Sequence, residues 1–410
     1  MREKVYDSKY LLFVGVFYLL LFQAPLTNIF SGFVYIDELI ALVAIPLSLF
    51  KLKNNGFKIK KRKDGFLIAL IVFSIVGILG NIKYNYQPMA SVSLPDLFLC
   101  LKFWLAIYTG KVLFAGLDLK KNGRGIFFHV KVMTSLFCVL TLVDNAAHIF
   151  PANIRYGIRS THLYYDSPTA FVAACAFLFA VLTIVKPYVD KTQKWFVLLL
   201  ILMCSSLRSK AFAAVSAFCI IYYFVFIRKK KITLRTLIVF VPFILFMVSD
   251  QIEYYFFSDI QSDSARYQLL ITALSIAKDS FPLGTGFGTF GSYMSAIHYS
   301  PVYRIYGIST VHGLIEGATY FTSDSFWPMI LGETGVVGLA SIVIVLGNML
   351  KRLQKTKNID LALYASGLVC MSYMLIISMA ESAFVNPIAI PLAIVLGMIY
   401  GKSEYLGKVY

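Results

Sequence analysis

Long uninterrupted apolar runs are the feature that most constrains what this chain can fold into. Five of them stand out, at 10–30, 66–82, 126–148, 236–256 and 384–401. Each has roughly 17–24 residues, the length of helix that crosses a hydrocarbon core of about 30 Å. Charged residues make up only 14% of the 410 residues, whereas a soluble domain carries about 25%. The sequence therefore predicts an all-α polytopic membrane protein.

We predict twelve membrane spans that form one integral membrane domain over residues 1–410. The predicted spans are 10–30, 33–50, 66–82, 94–115, 126–148, 168–186, 194–207, 210–227, 236–256, 326–349, 360–379 and 385–401. The first run lacks a small-x-small cleavage motif, so we expect it to be an uncleaved span rather than a signal peptide. The six cysteines lie in apolar runs without a CxxC pair, so neither a disulfide framework nor a metal site is expected.

The formal charge of +17 follows from membrane topology and does not indicate nucleic-acid binding. With the N-terminus inside, 28 of the 38 Lys and Arg residues fall in cytoplasmic segments and eight fall outside. This asymmetry predicts a multi-pass membrane protein with both termini in the cytoplasm.

One connection is much longer than the others. Residues 257–325 lie between the ninth and tenth predicted spans, and the topology places them outside the cell. Long loops in compact proteins are usually functional, so we expect an active site that faces outside. The sequence has no internal repeat and no pair of interrupted helices, which argues against a transporter.

The segment "CSSLRSKAFAA" (204–214) places Arg208 and Lys210 within a long apolar run, 195–227. As one helix that run would be about 50 Å long, which exceeds a single span. We therefore predict a hairpin whose short first arm leaves both cations at or below the outer surface. A cation at such depth costs at least ~2.5 kcal/mol unless it faces a polar cavity or a partner. The alternatives are an anion-binding site and ordinary cations that snorkel to the interface.

The long loop begins with a predicted helix over Ser264–Lys278, which carries Arg266 in its first turn. A helix dipole disfavours a cation there, so Arg266 is expected to meet an anionic ligand or a carboxylate such as Asp263. The next segment, "PLGTGFGTFG" (282–291), lacks the βαβ context of a dinucleotide-binding fingerprint. Its amides form either an anion-binding concavity or a plain turn.

Four acidic or basic side chains near the tenth span are further candidates. His312 and Glu316 have the i,i+4 spacing of two metal ligands, but neighbouring glycines weaken that interpretation. Asp324 stands at the outer mouth of the span, and Glu333 lies about two and a half turns further in. A buried carboxylate needs a cation or several donors, and the outer arginines are the expected partners. No role is expected for Glu381.

Three segments in one order carry a family resemblance: "LRSK" at the hairpin, "PLGTGFGTF" after an arginine-bearing helix, and "SDSFWPMILGETGVVG". This order resembles the O-antigen polymerase and O-antigen ligase superfamily of bacterial polysaccharide assembly. The similarity covers roughly Cys204–Leu339, and the remainder matches in topology alone. It implies a C-type membrane glycosyltransferase fold and an inverting, metal-independent, cofactor-free transfer from undecaprenyl-diphosphate-linked sugars.

The resemblance also implies roles for particular residues. Arg208 and Arg266 match the arginines that grip the donor diphosphate. The other candidate diphosphate-binding cations are Lys210, Arg159 and Arg304. Candidate catalytic residues are Asp324, His312 and the motif glutamate Glu333. Ligases of the superfamily typically carry His-Asn nine residues before that glutamate, whereas this chain has Asp324-Ser325, which favours a polymerase.

We therefore predict a polymerase that transfers a lipid-linked glycan to the non-reducing end of another lipid-linked repeat unit. A ligase that transfers the glycan to a lipid or protein acceptor is one alternative, and a flippase for lipid-linked oligosaccharides is another. Expected partners are the undecaprenyl-diphosphate-linked oligosaccharide, membrane lipids and a regulator of chain length, with no nucleic acid.

Overall fold

The computed structural model describes residues 7–54, 65–155, 157–229 and 264–406. Over these residues the chain is almost entirely helical, and nine helical segments are long and apolar enough to cross a membrane. The predicted class, an all-α polytopic membrane protein, is confirmed. The predicted ninth span, 236–256, and the first residues of the long loop lie outside the described residues.

The helices follow the predicted apolar runs. The first part of the chain contains α1 (Ser8–Leu21), α2 (Gln23–Ile29), α3 (Ile36–Leu42), α4 (Ala44–Asn54), α5 (Gly65–Tyr84), α6 (Leu94–Phe114), α7 (Leu119–Ala147), α8 (Pro168–Val185), α9 (Gln193–Cys204) and α10 (Ser209–Tyr222). The second part contains α11 (Ala265–Asp279), α12 (Tyr293–Ile297), α13 (Pro301–Ile305), α14 (Phe326–Thr356), α15 (Leu361–Ser378) and α16 (Ile390–Leu406).

Shorter elements connect or extend these helices. There are 3-10 turns at Ser31–Tyr35, Lys186–Tyr188 and Pro387–Ala389, and π-helical turns at Met89–Ser93 and Tyr223–Ile227. Two short antiparallel strands, β1 (Ile154–Arg155) and β2 (Ile158–Arg159), pair with Ile154 opposite Arg159. They lie in the connection between α7 and α8.

Two predicted spans have an irregular form. The first is bent by 72° between α1 and α2. The seventh is the twelve-residue helix α9, which is too short for an ordinary span and confirms the short first arm of the hairpin. The total of twelve spans remains a prediction.

Helix α8 lies at the centre of the bundle. Nearly all of its side chains are buried, because α7, α9, α15 and α16 pack around it. A second set of packed helices surrounds α14, which contacts α5 along its length and α11 beside it. These contacts bring the ends of α10, α11, α14 and α15 together.

Candidate active site

Five charged side chains gather where α10, α11, α14 and α15 meet. We call this group the charged cluster, and its members are Arg208, Lys210, Arg266, Asp324 and Glu381. The first four were predicted as site residues from the sequence. The cluster contains three cations and two carboxylates, so it carries a net positive charge when all five are ionised. Such a place favours an anionic ligand.

Arg208 occupies the turn of the α9–α10 hairpin. Leu207 before it has a left-handed backbone (φ 52°), and Arg208 itself is extended at the N-cap of α10. Its side chain lines a narrow crevice together with Lys210, Thr169 and Tyr373. The predicted hairpin tip is thus confirmed, and the dipole at the start of α10 adds to the positive potential there.

The connection between α7 and α8 holds this turn in place. Thr161 donates its backbone amide to the Ser205 carbonyl over 3.0 Å. The Ser160 hydroxyl donates to the Ser206 carbonyl over 2.8 Å. Burial lowers the pKa of His162, and its neighbours Arg159 and Arg208 lower it further. The carboxylates of Asp144 and Asp166 act in the opposite direction and raise this pKa.

Lys210 forms an ion pair with Glu381, and Thr169 donates its hydroxyl to the same carboxylate oxygen over 2.7 Å. Glu381 follows the end of α15, and the sequence analysis gave it no role. Its one sequence signal is isolation, because it is the only acidic residue between Asp360 and Glu404. The negative charge of Glu381 offsets the positive charge of Lys210. The two arginines are then the principal cations that can bind an anionic ligand.

Arg266 donates a guanidinium hydrogen to Asp324 over 3.0 Å. Of the two partners predicted for Arg266, an acidic side chain is therefore confirmed. The two side chains are 22% and 25% exposed, so solvent and a ligand can reach both. Burial raises the pKa of Asp324, while Arg266 lowers it, Glu381 raises it and Lys210 lowers it. Asp324 is a carboxylate whose basicity depends on its charged neighbours.

Three other predicted site residues make their contacts elsewhere. Arg159 pairs with Asp144 over 3.2 Å and also donates to the Phe150 carbonyl. Arg304 pairs with Glu316 at a position where both side chains are more than half exposed. His312 is exposed and its ring lies 5.8 Å from that of Phe321. Since Glu316 is engaged by Arg304, the contacts do not support a His312–Glu316 metal pair.

The glycine-rich segment 282–291, here called the glycine loop, does bind an anion through its backbone. Thr289 and Phe290 donate their amides to the Oε1 atom of Glu333 over 3.0 and 3.1 Å. Gly288 donates its amide to Asp96 over 3.0 Å. Of the two alternatives for this segment, an anion-binding concavity and a plain turn, these contacts favour the concavity, and its amides are directed at the protein's own carboxylates.

The expected arginine partner for Glu333 is therefore wrong. Glu333 is completely buried in α14, and its donors are amides of the glycine loop. A long basic side chain would have to lose its hydration to reach that depth, whereas loop amides are already present and need a partner. A catalytic role for Glu333 remains a prediction, and its burial separates it from the charged cluster.

Glycine is required where the loop meets α14. Gly335 breaks the helix with φ 61° and ψ −165°, a conformation almost restricted to glycine. A Cβ atom there would lie 2.4 Å from the carbonyl carbon of Leu283. On the loop side, a Cβ at Gly284 would lie 2.3 Å from the carbonyl carbon of Glu333. The "GETGVVG" segment thus packs directly against the loop backbone.

Comparison with known proteins agrees with this geometry. Residues 194–343 match a protein-family model described as O-Antigen ligase. The match runs from the start of α9 into α14 and includes four members of the charged cluster, with Glu381 beyond it. No curated protein matches the chain.

A family match of this kind supports glycan transfer of the O-antigen ligase or polymerase type, with a lipid-linked oligosaccharide as the substrate class. It covers a little over a third of the chain. The order of "LRSK", "PLGTGFGTF" and "SDSFWPMILGETGVVG" predicted the same relationship. Residues 194–343 of this membrane protein thus match the family model described as O-Antigen ligase, and the predicted resemblance to the O-antigen polymerase and ligase superfamily is confirmed.

Proposed function

We propose that this protein is a polysaccharide polymerase of the bacterial cytoplasmic membrane. It transfers a growing glycan from undecaprenyl diphosphate to the non-reducing end of another lipid-linked repeat unit, on the outer face of the membrane. The observation that carries the proposal is the Arg266–Asp324 pair, which shares the charged cluster with Arg208 inside the family-matched segment. It combines cations that can bind a diphosphate with a carboxylate that can accept the proton of a sugar hydroxyl.

The arginines bind the leaving group. Guanidinium groups offer planar, permanently charged donors that match phosphate oxygens in pairs. Arg208 at the hairpin turn and Arg266 in the first turn of α11 lie at the edge of the apolar bundle, where a lipid-linked diphosphate would lie. In a water-poor site such donors stabilise charge that develops on the departing diphosphate.

The transfer is a single displacement. A hydroxyl oxygen of the acceptor sugar attacks the anomeric carbon of the donor, and its proton moves to the Asp324 carboxylate. The bond from that carbon to the diphosphate oxygen breaks, and the electron pair leaves with undecaprenyl diphosphate. Attack from the side opposite the leaving group inverts the anomeric configuration. The reaction needs no further reactant.

Substrate binding would also prepare the base. Arg266 lowers the pKa of Asp324, while burial raises it. When the diphosphate takes over the guanidinium, burial dominates and Asp324 becomes a stronger base. Arg266 would thus link donor binding to proton removal from the acceptor.

The choice of polymerase over ligase rests on the sequence around the base. Asp324-Ser325 occupies the position where ligases of the superfamily typically carry His-Asn. A ligase is the second candidate because the matching family model is described as O-Antigen ligase. Glycans from a deletion strain distinguish the two. Loss of long chains with retention of single-unit products supports a polymerase, while long polymer that stays on its lipid carrier supports a ligase.

The biochemical test uses purified protein in detergent with undecaprenyl-diphosphate-linked repeat units. We expect a ladder of longer lipid-linked glycans, with an inverted configuration at each new linkage by nuclear magnetic resonance. Because detergent leaves no membrane to cross, elongation there is inconsistent with a flippase. If the purified protein binds the substrate without lengthening it, the polymerase proposal is wrong.

A further inference from the structure

Two carboxyl groups meet inside the protein, apart from the charged cluster. Asp96 lies in the first turn of α6 and Glu333 lies in α14, and both are 0% exposed. A carboxylate oxygen of Asp96 lies within 4.8 Å of a carboxylate oxygen of Glu333. We call them the buried carboxyl pair.

The glycine loop satisfies only half of the oxygens in this pair. Two loop amides donate to Glu333 Oε1, and one donates to Asp96 Oδ2. The remaining oxygens, Asp96 Oδ1 and Glu333 Oε2, receive no hydrogen bond from the part of the chain that the structure describes. It costs free energy to bury a carboxylate oxygen that carries negative charge and receives no hydrogen bond.

The surroundings supply little positive charge. The nearest cation on α6 is Lys102, which pairs with Asp37 over 2.7 Å. Within the residues that the structure describes, the other polar groups that face the pair are neutral: the Cys100 thiol, the Ser292 hydroxyl, the Tyr303 hydroxyl and the Met294 amide. Three amide donors can stabilise about one negative charge. Two buried negative charges would repel each other strongly.

We propose that Asp96 and Glu333 share one proton, so that a carboxylic acid donates to a carboxylate across the pair. This proton satisfies both remaining oxygens at once and leaves one negative charge for the three loop amides. The pair then joins α6, α14 and the glycine loop at one point. Asp96 is accordingly a positioning residue, which the sequence gave no reason to select.

The buried carboxyl pair lies where it can affect the geometry of the charged cluster. The glycine loop follows α11, which carries Arg266, and it is anchored to α14, which begins two residues after Asp324. The Thr285 and Gly286 amides also bind the carbonyls of Gly332 and Glu333 over 3.0 and 2.8 Å. The shared proton therefore helps to fix Arg266 and Asp324 relative to each other. This consequence for catalysis rests on the proposed function, whereas the proton itself does not.

A metal ion is the competing occupant. One ligand atom from each of Asp96, Cys100 and Glu333 lies within 4.8 Å of the other two. A proton fits better, because a structural zinc site has four ligands and the loop amides present their positive ends to these same carboxylates.

The direct test is infrared spectroscopy of the purified full-length protein in detergent at neutral pH. We expect the carbonyl-stretch band of a protonated carboxyl group in the native protein, with loss of one such group in both Asp96→Asn and Glu333→Gln. Glu316→Gln, which changes an exposed carboxylate paired with Arg304, is the matched control and should keep the band. Elemental analysis of the native sample accompanies the spectra. A stoichiometric metal ion, or spectra that do not change in the two variants, would overturn the proposal.

Activity measurements on Asp96 variants test its positioning role separately. An asparagine amide can donate to Glu333 as the shared proton does, so Asp96→Asn should retain activity within about threefold, whereas Asp96→Leu should lose at least about tenfold. Circular dichroism and thermal unfolding establish that both variants are folded. Equal loss in folded Asp96→Asn and Asp96→Leu contradicts the positioning role. If the native protein transfers no glycan, the infrared result still decides whether the proton is shared.

Discussion

Single residues in the charged cluster depend on partners that lie far apart in the sequence. Lys210 and Glu381 are separated by 171 positions, and Arg266 and Asp324 by 58. Each carboxylate offsets the charge of the cation beside it. Arg266 has an internal partner to exchange for a diphosphate, while Arg208 stands at the hairpin turn beside the crevice.

Arg208→Ala should abolish most activity while the protein still inserts and folds. Loss of one hydrogen-bond donor that stabilises negative charge in the transition state typically lowers the rate by at least about 100-fold. Arg208→Lys should recover little, because an ammonium cannot bind two phosphate oxygens in a planar arrangement. The rate of glycan elongation in detergent measures both variants.

The matched control for Arg208 is Arg228→Ala. Arg228 follows the other end of the same helical segment, is exposed, and contacts Tyr223. It should elongate glycans at the native rate. Normal rates in Arg208→Ala, or equal losses in both variants, would contradict a diphosphate role for Arg208.

The dependence of rate on pH should identify the base. The Glu381 charge raises the pKa of Asp324 and the Lys210 charge lowers it. Glu381→Gln should therefore move the acid limb of the pH–rate profile to lower pH, and Lys210→Met should move it to higher pH. Asp324 must be ionised to accept a proton, so the limb follows its pKa.

His312 provides the contrasting case for the same measurement. Its contact is with Phe321, and the charged cluster lies elsewhere. His312→Gln should leave the acid limb where it is, while Asp324→Asn should remove the activity. An acid limb that disappears in His312→Gln and stays in place in Glu381→Gln would assign the base to His312.

Sequence reasoning found Arg208 and Arg266 because each breaks an apolar or helical pattern at a physical cost, and it found Asp324 through its position nine residues before Glu333 in the family resemblance. It missed Glu381 and Asp96 for a different reason. A lone carboxylate near the end of a span looks like an ordinary interfacial residue, and only packing shows that Lys210 or Glu333 lies beside it. The partners of buried charges are thus a tertiary property.

At the scale of elements, the joint between the glycine loop and α14 is the most demanding part of the structure. Asn81 in α5 fixes the loop from the other side, since its amide donates to the Phe287 carbonyl and its oxygen accepts from the Phe287 amide, each over 2.9 Å. The loop is therefore held by α5, α6 and α14 together. Its shape follows from these helices more than from its own sequence.

Gly335→Ala should destabilise the protein by at least about 2 kcal/mol, because its backbone conformation is strained for other residues. A Cβ atom would also meet the Leu283 backbone at 2.4 Å. Gly347→Ala in the same helix is the control. No atom lies within 4 Å of a Cβ there, so the change should be neutral or stabilising by about 0.5–1 kcal/mol. Thermal unfolding in detergent compares the two, and equal stability would show that the break at Gly335 is not required.

The helices themselves were predictable because a chain in hydrocarbon must satisfy its backbone internally. The short α9 followed from the same reasoning, since the length of the 195–227 run allowed no single span. The bend between α1 and α2 and the break at Gly335 were not predictable from hydropathy. Both are local departures that neighbouring elements impose on segments whose composition is ordinary for a span.

For the whole molecule, the distribution of charge predicts orientation, and the fold places the site at one end. The hairpin turn, the start of α11, the start of α14 and the end of α15 converge there. By contrast, the connection from α14 to α15 lies at the far end of a 31-residue helix. The part of α14 after the break at Gly335 is about 32 Å long, which is enough to cross a hydrocarbon core of about 30 Å.

Orientation can be tested with single cysteines at the two ends of α14. Tyr320, which is 73% exposed, lies shortly before α14 on the side of the charged cluster, and exposed Asn358 lies just after it. Because the Lys and Arg asymmetry predicts that the site faces outside, a membrane-impermeant maleimide should label Tyr320→Cys in intact cells. Asn358→Cys should be labelled only after the cells are permeabilised.

A background with Cys219→Ser removes the one exposed native cysteine and supplies the unlabelled control. Both variants with an introduced cysteine must be inserted in equal amounts, which immunoblotting of the membrane fraction measures. The reverse pattern, with Asn358→Cys labelled in intact cells, would place the charged cluster in the cytoplasm. The acceptor and donor glycans would then have to be elongated before they cross the membrane, so this one measurement also decides where in the cell the proposed polymerase can act.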